Sequence, residues 1–235
     1  MATVRTSNFF DNVDFATKEA FKRLRTNIIE NVKDNPEGAN IIGVTSCEAG
    51  DGKSSVMLNT AYSLAELGYN VLIIDMDLRR PSLHTKLGLK QSPGLCGLLD
   101  GENEIHKAIQ TYKTPGTGVT FDIIASGGEL ENPSERIGSR RMESLLKVLS
   151  KTYGYILLDM PPIGAVVDSA VVGKFTSGLL FVIRENVTLK SAVVENVRQF
   201  KLSNVKVLGF VVNGALEGSS KGTKYGNYSN SYYKR

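Results

Sequence analysis

NIIGVTSCEAGDGKSS, residues 40–55, is the stretch whose reading decides the fold. An apolar, β-branched run (Ile41, Ile42, Val44) stops at Ser46. A small loop follows, Ala49-Gly50-Asp51-Gly52, then Lys53-Ser54-Ser55, and then a helix-patterned segment from Met57 to Leu67. A strand feeding a glycine-rich turn that opens a helix points several backbone N–H groups at one spot. The partial positive charge of the helix start adds to them, and the result is an anion site. Gly50 and Gly52 let the backbone approach phosphate oxygens with no Cβ in the way. Lys53 can reach the β- and γ-phosphates, and Ser54 can offer its hydroxyl to Mg²⁺. Residues Ala49 to Ser55 are therefore the candidate nucleotide-binding loop. The match to G-x-x-x-x-G-K-[ST] departs at one place, where Cys47 stands in the position of the first glycine.

Two further segments have the same form. VLIIDMDLRRP (71–81) is an apolar run ending in Asp75, with Asp77 two residues on and Arg79-Arg80 behind it. YILLDMPP (155–162) is another, ending in Asp159. Strands buried on both faces of a parallel sheet read as unbroken apolar runs, and ligands in such sheets gather at the carboxyl ends of the strands. An unpaired carboxylate at the end of a buried strand is costly, so Asp75 and Asp159 are candidates for metal binding or base chemistry. A solvated pair would account equally well for Arg79 and Arg80.

Composition narrows the class. The chain has 235 residues, 41% hydrophobic and 22% charged, which suits one large α/β domain or two small ones. No apolar run approaches the ~20 residues that span a bilayer, and MATVRTSNFF does not read as a signal peptide. The two cysteines, Cys47 and Cys96, form no C-x-x-C pair, which fits a reduced cytoplasmic setting and signals neither zinc nor an iron–sulfur cluster. The formal net charge is +4, and residues 217–235 alone carry +3 of it, leaving the body near neutral. Nucleic acid is not an expected partner, since phosphate-backbone affinity needs a broad basic face.

Taken in order, Phe15 to about Val32 shows helical spacing, with Phe21, Leu24, Ile28 and Val32 on one stripe and Glu19, Lys22 and Arg25 on the polar side. Residues 78–101 are punctuated by glycine and proline and are expected to cover the site with short helices. A short helix is expected near 103–109 and a strand over 119–126. Asn132 or Ser134 should cap a helix running to about Tyr153. A short helix over 165–174, a strand over 178–184, a helix over 189–202 and a last strand over 205–213 complete the body. About six strands alternating with helices predict an α/β fold of the P-loop NTPase type, a mostly parallel sheet flanked by helices. The domain is expected over 1–216 (with residues 15–33 as its first helix) and a mobile tail over 217–235. Four of the nine tyrosines (Tyr225, Tyr228, Tyr232, Tyr233) fall in that tail among glycine, serine and asparagine, a composition that supports no core.

EAFKRLRTN near the start, the loop SCEAGDGKSS, LIIDMDLRRP, NPSERIGS, ILLDMPP and the terminal tyrosine cluster occur in the order found in the bacterial tyrosine kinases of capsule and exopolysaccharide synthesis. The chain resembles that family over nearly its whole length, and in particular its free-standing cytoplasmic type. The resemblance implies ATP and Mg²⁺ as cofactors, with Mg²⁺ on Ser54, Asp75 and Asp159. It further implies Asp75 as base or metal partner with Asp77 assisting, Arg79 on transition-state charge, and Asn213 reading adenine. Tyr225, Tyr228, Tyr232 and Tyr233 would be phosphoacceptors, modified between subunits of a ring. Glu19, Lys22 and Arg25 would form the subunit contact, where Lys22 replaces the family's arginine and keeps its charge but not its bidentate fork. A membrane adaptor that completes the site and a cognate tyrosine phosphatase are the other implied partners, with peripheral placement at the membrane through the adaptor. Two alternatives stay open: a positioning or partition ATPase of the same superfamily, although the signature lysine early in that family's loop is absent from Ser46-Cys47-Glu48; and an inactive scaffold.

Overall fold

The computed structural model describes residues 13–32, 38–130, 132–163, 173 and 175–214. Its elements in chain order are α1 (Phe15–Asn31), β1 (Asn40–Ser46), α2 (Lys53–Ala65), β2 (Val71–Asp75), α3 (Leu83–Leu87), α4 (Leu95–Asp100), α5 (Ile105–Ala108) and β3 (Ile109–Lys113). They continue with β4 (Thr120–Ile124), α6 (Pro133–Ile137), α7 (Arg140–Leu149), β5 (Tyr155–Asp159), β6 (Gly178–Arg184), α8 (Lys190–Leu202) and β7 (Val207–Asn213).

The strands form one seven-stranded sheet in the order β3-β4-β2-β5-β1-β6-β7. All pairs are parallel except β3–β4. The unbroken apolar runs follow from cover on both faces. Ile42, Ile73, Leu157 and Leu180 point into one core beneath α1, α2 and α3. Leu72, Ile74, Ile156, Leu158 and Phe181 point into the other, beneath α4, α7 and α8. Each such side chain, fully buried, is worth roughly 1.5–3 kcal/mol. The stripe read from α1 packs as its spacing predicts, with Ile28 and Val32 buried and Phe21 and Leu24 against them.

Two expectations are corrected. The sheet has seven strands rather than about six, because residues 109–113 form the antiparallel edge β3. Besides the backbone ladder, side-chain contacts hold that edge. Asp122 accepts hydrogen bonds from the Thr111 hydroxyl at 2.6 Å and from the Tyr153 hydroxyl at 2.7 Å, and Tyr112 packs on Phe121 at 5.5 Å between ring centroids. The single helix expected from Asn132 or Ser134 to Tyr153 is two helices. Asn132 sits at the N-cap of α6 without a side-chain bond, and the chain breaks at Gly138. Ser139 then caps α7 by accepting from the Met142 N–H. Glycine is a poor helix former, and a serine with a free N–H within reach caps in preference to continuing. The helix expected over 165–174 falls almost wholly outside the described residues, as do residues 1–12 and the tail.

Candidate functional site

Register alone brings the key positions together. Asp75 at the tip of β2 is paired directly with Asp159 at the tip of β5, which also stands opposite Val44 of β1. The loop leaving β1 therefore runs over both carboxylates. Gly50 and Gly52 both adopt φ +94, in the left-handed region. Gly52 is the N-cap of the 13-residue α2, so Lys53, Ser54 and Ser55 form its first turn. A cleft of about 770 Å³ opens over this turn, bordered by Ala49, Gly50, Gly52, Lys53, Ser54 and Ser55 on one side and by Asp77, Arg79, Arg80 and Lys86 on the other.

Within the cleft Ser54 Oγ donates to Asp159 Oδ2 at 2.9 Å. Lys53 Nζ lies 3.6 Å from Asp77 Oδ2 and 3.7 Å from Asp159 Oδ1. Asp159 is 2% exposed, and its Oδ1 accepts no hydrogen bond. A buried, negatively charged oxygen with that vacancy beside a serine hydroxyl suits a divalent cation of the Mg²⁺ type, which takes one or two protein oxygens and completes its shell with water and phosphate. Asp75 is held differently. Its oxygens accept from the N–H groups of Asp77 at 3.2 Å and Leu83 at 3.4 Å. Burial, and then the Asp159 charge, push its carboxyl up to about 7, against the opposing pull of those two N–H groups. For Lys53, burial works to lower its basicity, but the carboxylates of Asp159, Asp77 and Asp75 outweigh it and hold the ammonium above its usual range. The arrangement is a cation between carboxylates in the first turn of a helix, bordering an open cleft. It can bind a polyphosphate and a metal, and it can hold or move a proton at Asp75.

The remaining sequence candidates are placed less simply. Arg79 and Arg80 border the cleft, and the Arg80 N–H binds Asp77 Oδ1 at 3.1 Å. Asn213 ends β7 beside the loop, and its carboxamide donates to the Asp51 carbonyl at 2.9 Å. Asp51 is 2% exposed. Its carboxylate faces Glu48 and Thr188, accepting from the Glu48 N–H at 3.0 Å and the Thr188 hydroxyl at 3.2 Å. On α1, Lys22 pairs with Glu19 at 2.8 Å, whereas Arg25 turns inward and donates to the Ser63 carbonyl of α2 at 2.7 Å. Tyr225, Tyr228, Tyr232 and Tyr233 lie outside the described residues.

Sequence reading missed four contributors. Arg184 donates to the Gly50 carbonyl at 3.2 Å, and Thr188 binds Asp51 as described. The Asn196 carboxamide reaches Cys47 Sγ at 3.4 Å, and Lys86 borders the cleft. None belongs to a local motif. Arg184 ends β6, Thr188 and Asn196 follow it, and Lys86 lies on α3 after β2, so the signal was the parallel topology, which brings the carboxyl ends of β2 and β6 to the same sheet edge as the loop.

Residues 37–227 match the family described as ParA: NUBPL iron-transfer P-loop NTPase. The chain is 31% identical over 210 residues to the tyrosine-protein kinase YwqD of Bacillus subtilis, covering 89% of this chain and 85% of that one. It superposes on the kinase domain of Escherichia coli tyrosine kinase ETK with a TM-score of 0.79 at 32% identity, covering 89% of this chain and 80% of that one. Several larger curated tyrosine-protein kinases also match, and of these the chain spans about a quarter of the length (28%, 24% and 25% for three of them). Among the described residues no helix is long and apolar enough to cross a membrane. A P-loop over paired carboxylates, in a chain spanning most of YwqD and of the ETK kinase domain, establishes that the protein belongs to the bacterial tyrosine kinases of the deviant P-loop ATPase superfamily.

Proposed function

We propose that this protein is an ATP-dependent protein-tyrosine kinase that phosphorylates the tyrosines of its own tail region between subunits, in the service of capsular or exopolysaccharide synthesis or export. The observation that carries this reading is the meeting of Lys53 and Ser54, which line the cleft, with the buried carboxylates of Asp159 and its neighbour Asp75 beneath them, in a chain of this family.

Phosphoryl transfer asks a protein chiefly to position groups and balance charge. The N–H groups of residues 50–55 and the Lys53 ammonium would hold the β- and γ-phosphates of ATP. Ser54 and Asp159 would hold Mg²⁺, with Asp75 behind them, and the ion would neutralise charge as it builds on the transferred group. A tyrosine hydroxyl, with a pKa of ~10, is a poor nucleophile at neutral pH. Burial and the Asp159 charge raise the proton affinity of the Asp75 carboxylate, so its ionised form is suited to accept that proton, with Asp77 assisting beside Lys53. Arg79, which borders the cleft, would meet the charge that builds on the transferred phosphoryl group.

Residues 217–235 would be the acceptor arm. Nineteen residues reach about 60 Å when extended, enough for a neighbour's cleft, and phosphorylation would add nearly two negative charges at each tyrosine and reverse the arm's basic balance. Glu19, Lys22 and Arg25 would lie at the contact between subunits of a ring. A membrane adaptor would recruit and activate the kinase from the cytoplasm, and a cognate phosphatase would reset it. Purified protein given ATP and Mg²⁺, with an activating segment present, should acquire phosphate on Tyr225–Tyr233 by mass spectrometry. ATP hydrolysis with unmodified tyrosines would point instead to a positioning-type ATPase.

A further inference from the structure

Asp51 places a carboxylate inside a loop whose backbone is arranged to receive anions. Among the described residues it is one of the most buried acids, at 2% exposure. Left unrestrained, a carboxylate there would compete for the same N–H groups that phosphate needs, because those donors bind any oxygen anion at a helix start.

The fold restrains it from one side. The segment after β6 turns tightly at Asn186, which takes φ 59. Asparagine tolerates this left-handed conformation better than most residues. The turn brings Thr188 under the Arg184 N–H, which donates to Thr188 Oγ1 at 2.8 Å. With one lone pair so engaged, the Thr188 hydroxyl directs its proton to Asp51 Oδ1 at 3.2 Å, while Asp51 Oδ2 accepts from the Glu48 N–H. The Arg184 guanidinium simultaneously donates to the Gly50 carbonyl at 3.2 Å, and Asn213 donates to the Asp51 carbonyl at 2.9 Å. The turn itself is tied to β7 by the Glu185 N–H, which binds the Asn213 carbonyl at 2.9 Å. Two carbonyls and one carboxylate of the loop are thus held by Arg184, Asn213 and Thr188, none of which borders the cleft.

We infer that Thr188, supported by Arg184, is a positioning residue for nucleotide binding: a clasp that holds the Asp51 carboxylate away from the phosphate site and so fixes the loop in its anion-binding shape. The clasp rests on the nucleotide-site reading above and goes beyond it by assigning loop geometry to a turn over 130 residues away in sequence.

The experiment is equilibrium binding of a fluorescent ADP analogue with Mg²⁺ to the full chain, alongside thermal melting. Thr188→Val keeps the shape and removes the donor, leaving a buried carboxylate oxygen without its partner. Loss of a hydrogen bond to a charged group predicts roughly tenfold or greater weakening of nucleotide affinity. Thr188→Ser, which retains the hydroxyl, should bind within about twofold of wild type. Asp51→Asn combined with Thr188→Val should recover part of the loss, because the misdirected charge is gone. Arg184→Ala, at an exposed side chain, gives an independent reading should Thr188→Val fold poorly, and several-fold weakening is expected. Thr188→Val affinity within twofold of wild type, or equal loss in Thr188→Val and Thr188→Ser, overturns the clasp alone. Wild-type protein that binds no nucleotide overturns the nucleotide-site reading and the clasp with it.

Discussion

Ser54 Oγ donates to Asp159 Oδ2 across 2.9 Å, joining the first turn of α2 to the tip of β5. The second oxygen of the same carboxylate is buried, accepts no hydrogen bond and lies 3.7 Å from Lys53 Nζ. Asp159→Asn retains an acceptor for Ser54 and removes the charge that a cation requires. It should lower Mg²⁺-dependent phosphotransfer by roughly 10²–10³-fold, the scale seen when one preorganised electrostatic contact to a transition state is lost. The check is the rate as a function of Mg²⁺ concentration. An unchanged Mg²⁺ midpoint would remove Asp159 from the metal site.

Asp75 makes the opposite prediction for stability and for activity. Its carboxyl is raised from the ordinary 3.8 to about 7 by burial and the neighbouring Asp159 charge. A raised acid prefers the proton in the folded state. The folded protein therefore suffers no penalty below the unfolded value, near pH 4, and bears the full penalty above about pH 7. Between those limits the nucleotide-free, metal-free wild type should lose on the order of 1–4 kcal/mol relative to Asp75→Asn. Denaturant unfolding of the two proteins at pH 4, 5.5 and 7.5 tests this. The gap should widen with pH in favour of the variant, while the variant loses kinase activity. A gap independent of pH would contradict the environment described for Asp75.

Gly50 and Gly52 share the same φ, yet the consequences of a side chain differ between them. A Cβ on Gly52 would stand 1.9 Å from Asn213 Nδ2, whereas one on Gly50 would meet nothing within 4 Å. Gly50→Ala should suffer only the left-handed backbone strain, about 1 kcal/mol. Gly52→Ala adds displacement of Asn213 from the loop, and should both destabilise the fold further and abolish high-affinity nucleotide binding. Melting temperature and calorimetric nucleotide titration on the pair decide it. Equal behaviour of the two variants would show that the Asn213 contact does not matter.

The fold was legible where burial forces the sequence into one pattern. Val71–Asp75 and Tyr155–Asp159 are buried at every position, so their apolar runs could only be central strands, and the tips of those strands gave Asp75 and Asp159 directly. Legibility failed where side chains rather than backbone pattern fix an element. Residues 109–113 are half polar, and their pairing with β4, supported by the Thr111–Asp122 and Tyr112–Phe121 contacts, makes them an edge strand. Likewise the split between α6 and α7 depends on a single cap, Ser139. At the site the local motifs foretold the meeting of Lys53, Ser54, Asp77 and Asp159. The supports of the loop, Arg184 and Thr188, were not, because their role depends on where the turn after β6 lands.

Arg25 separates two roles that the sequence assigned to one surface. Its guanidinium is 12% exposed, donates to the Ser63 carbonyl at 2.7 Å and reaches Glu66 at 3.4 Å, so it ties α1 to α2 within a single subunit. Lys22, in contrast, pairs with Glu19 in solvent-exposed positions. A charge-assisted bond to a half-buried carbonyl is worth about 1.5–3 kcal/mol. Arg25→Ala should therefore lower the melting temperature even at dilution, where size-exclusion chromatography shows only monomer. Lys22→Ala should leave that temperature unchanged and act, if the ring reading is right, only on assembly at higher concentration. Should Arg25→Ala melt as wild type in the dilute monomer while failing to assemble, its inward bond is incidental and Arg25 belongs wholly to the subunit contact. Should it melt lower and also fail to assemble, then the α1–α2 tie is a precondition for the ring, since α1 must be fixed on its own subunit before it can present Glu19 and Lys22 to another.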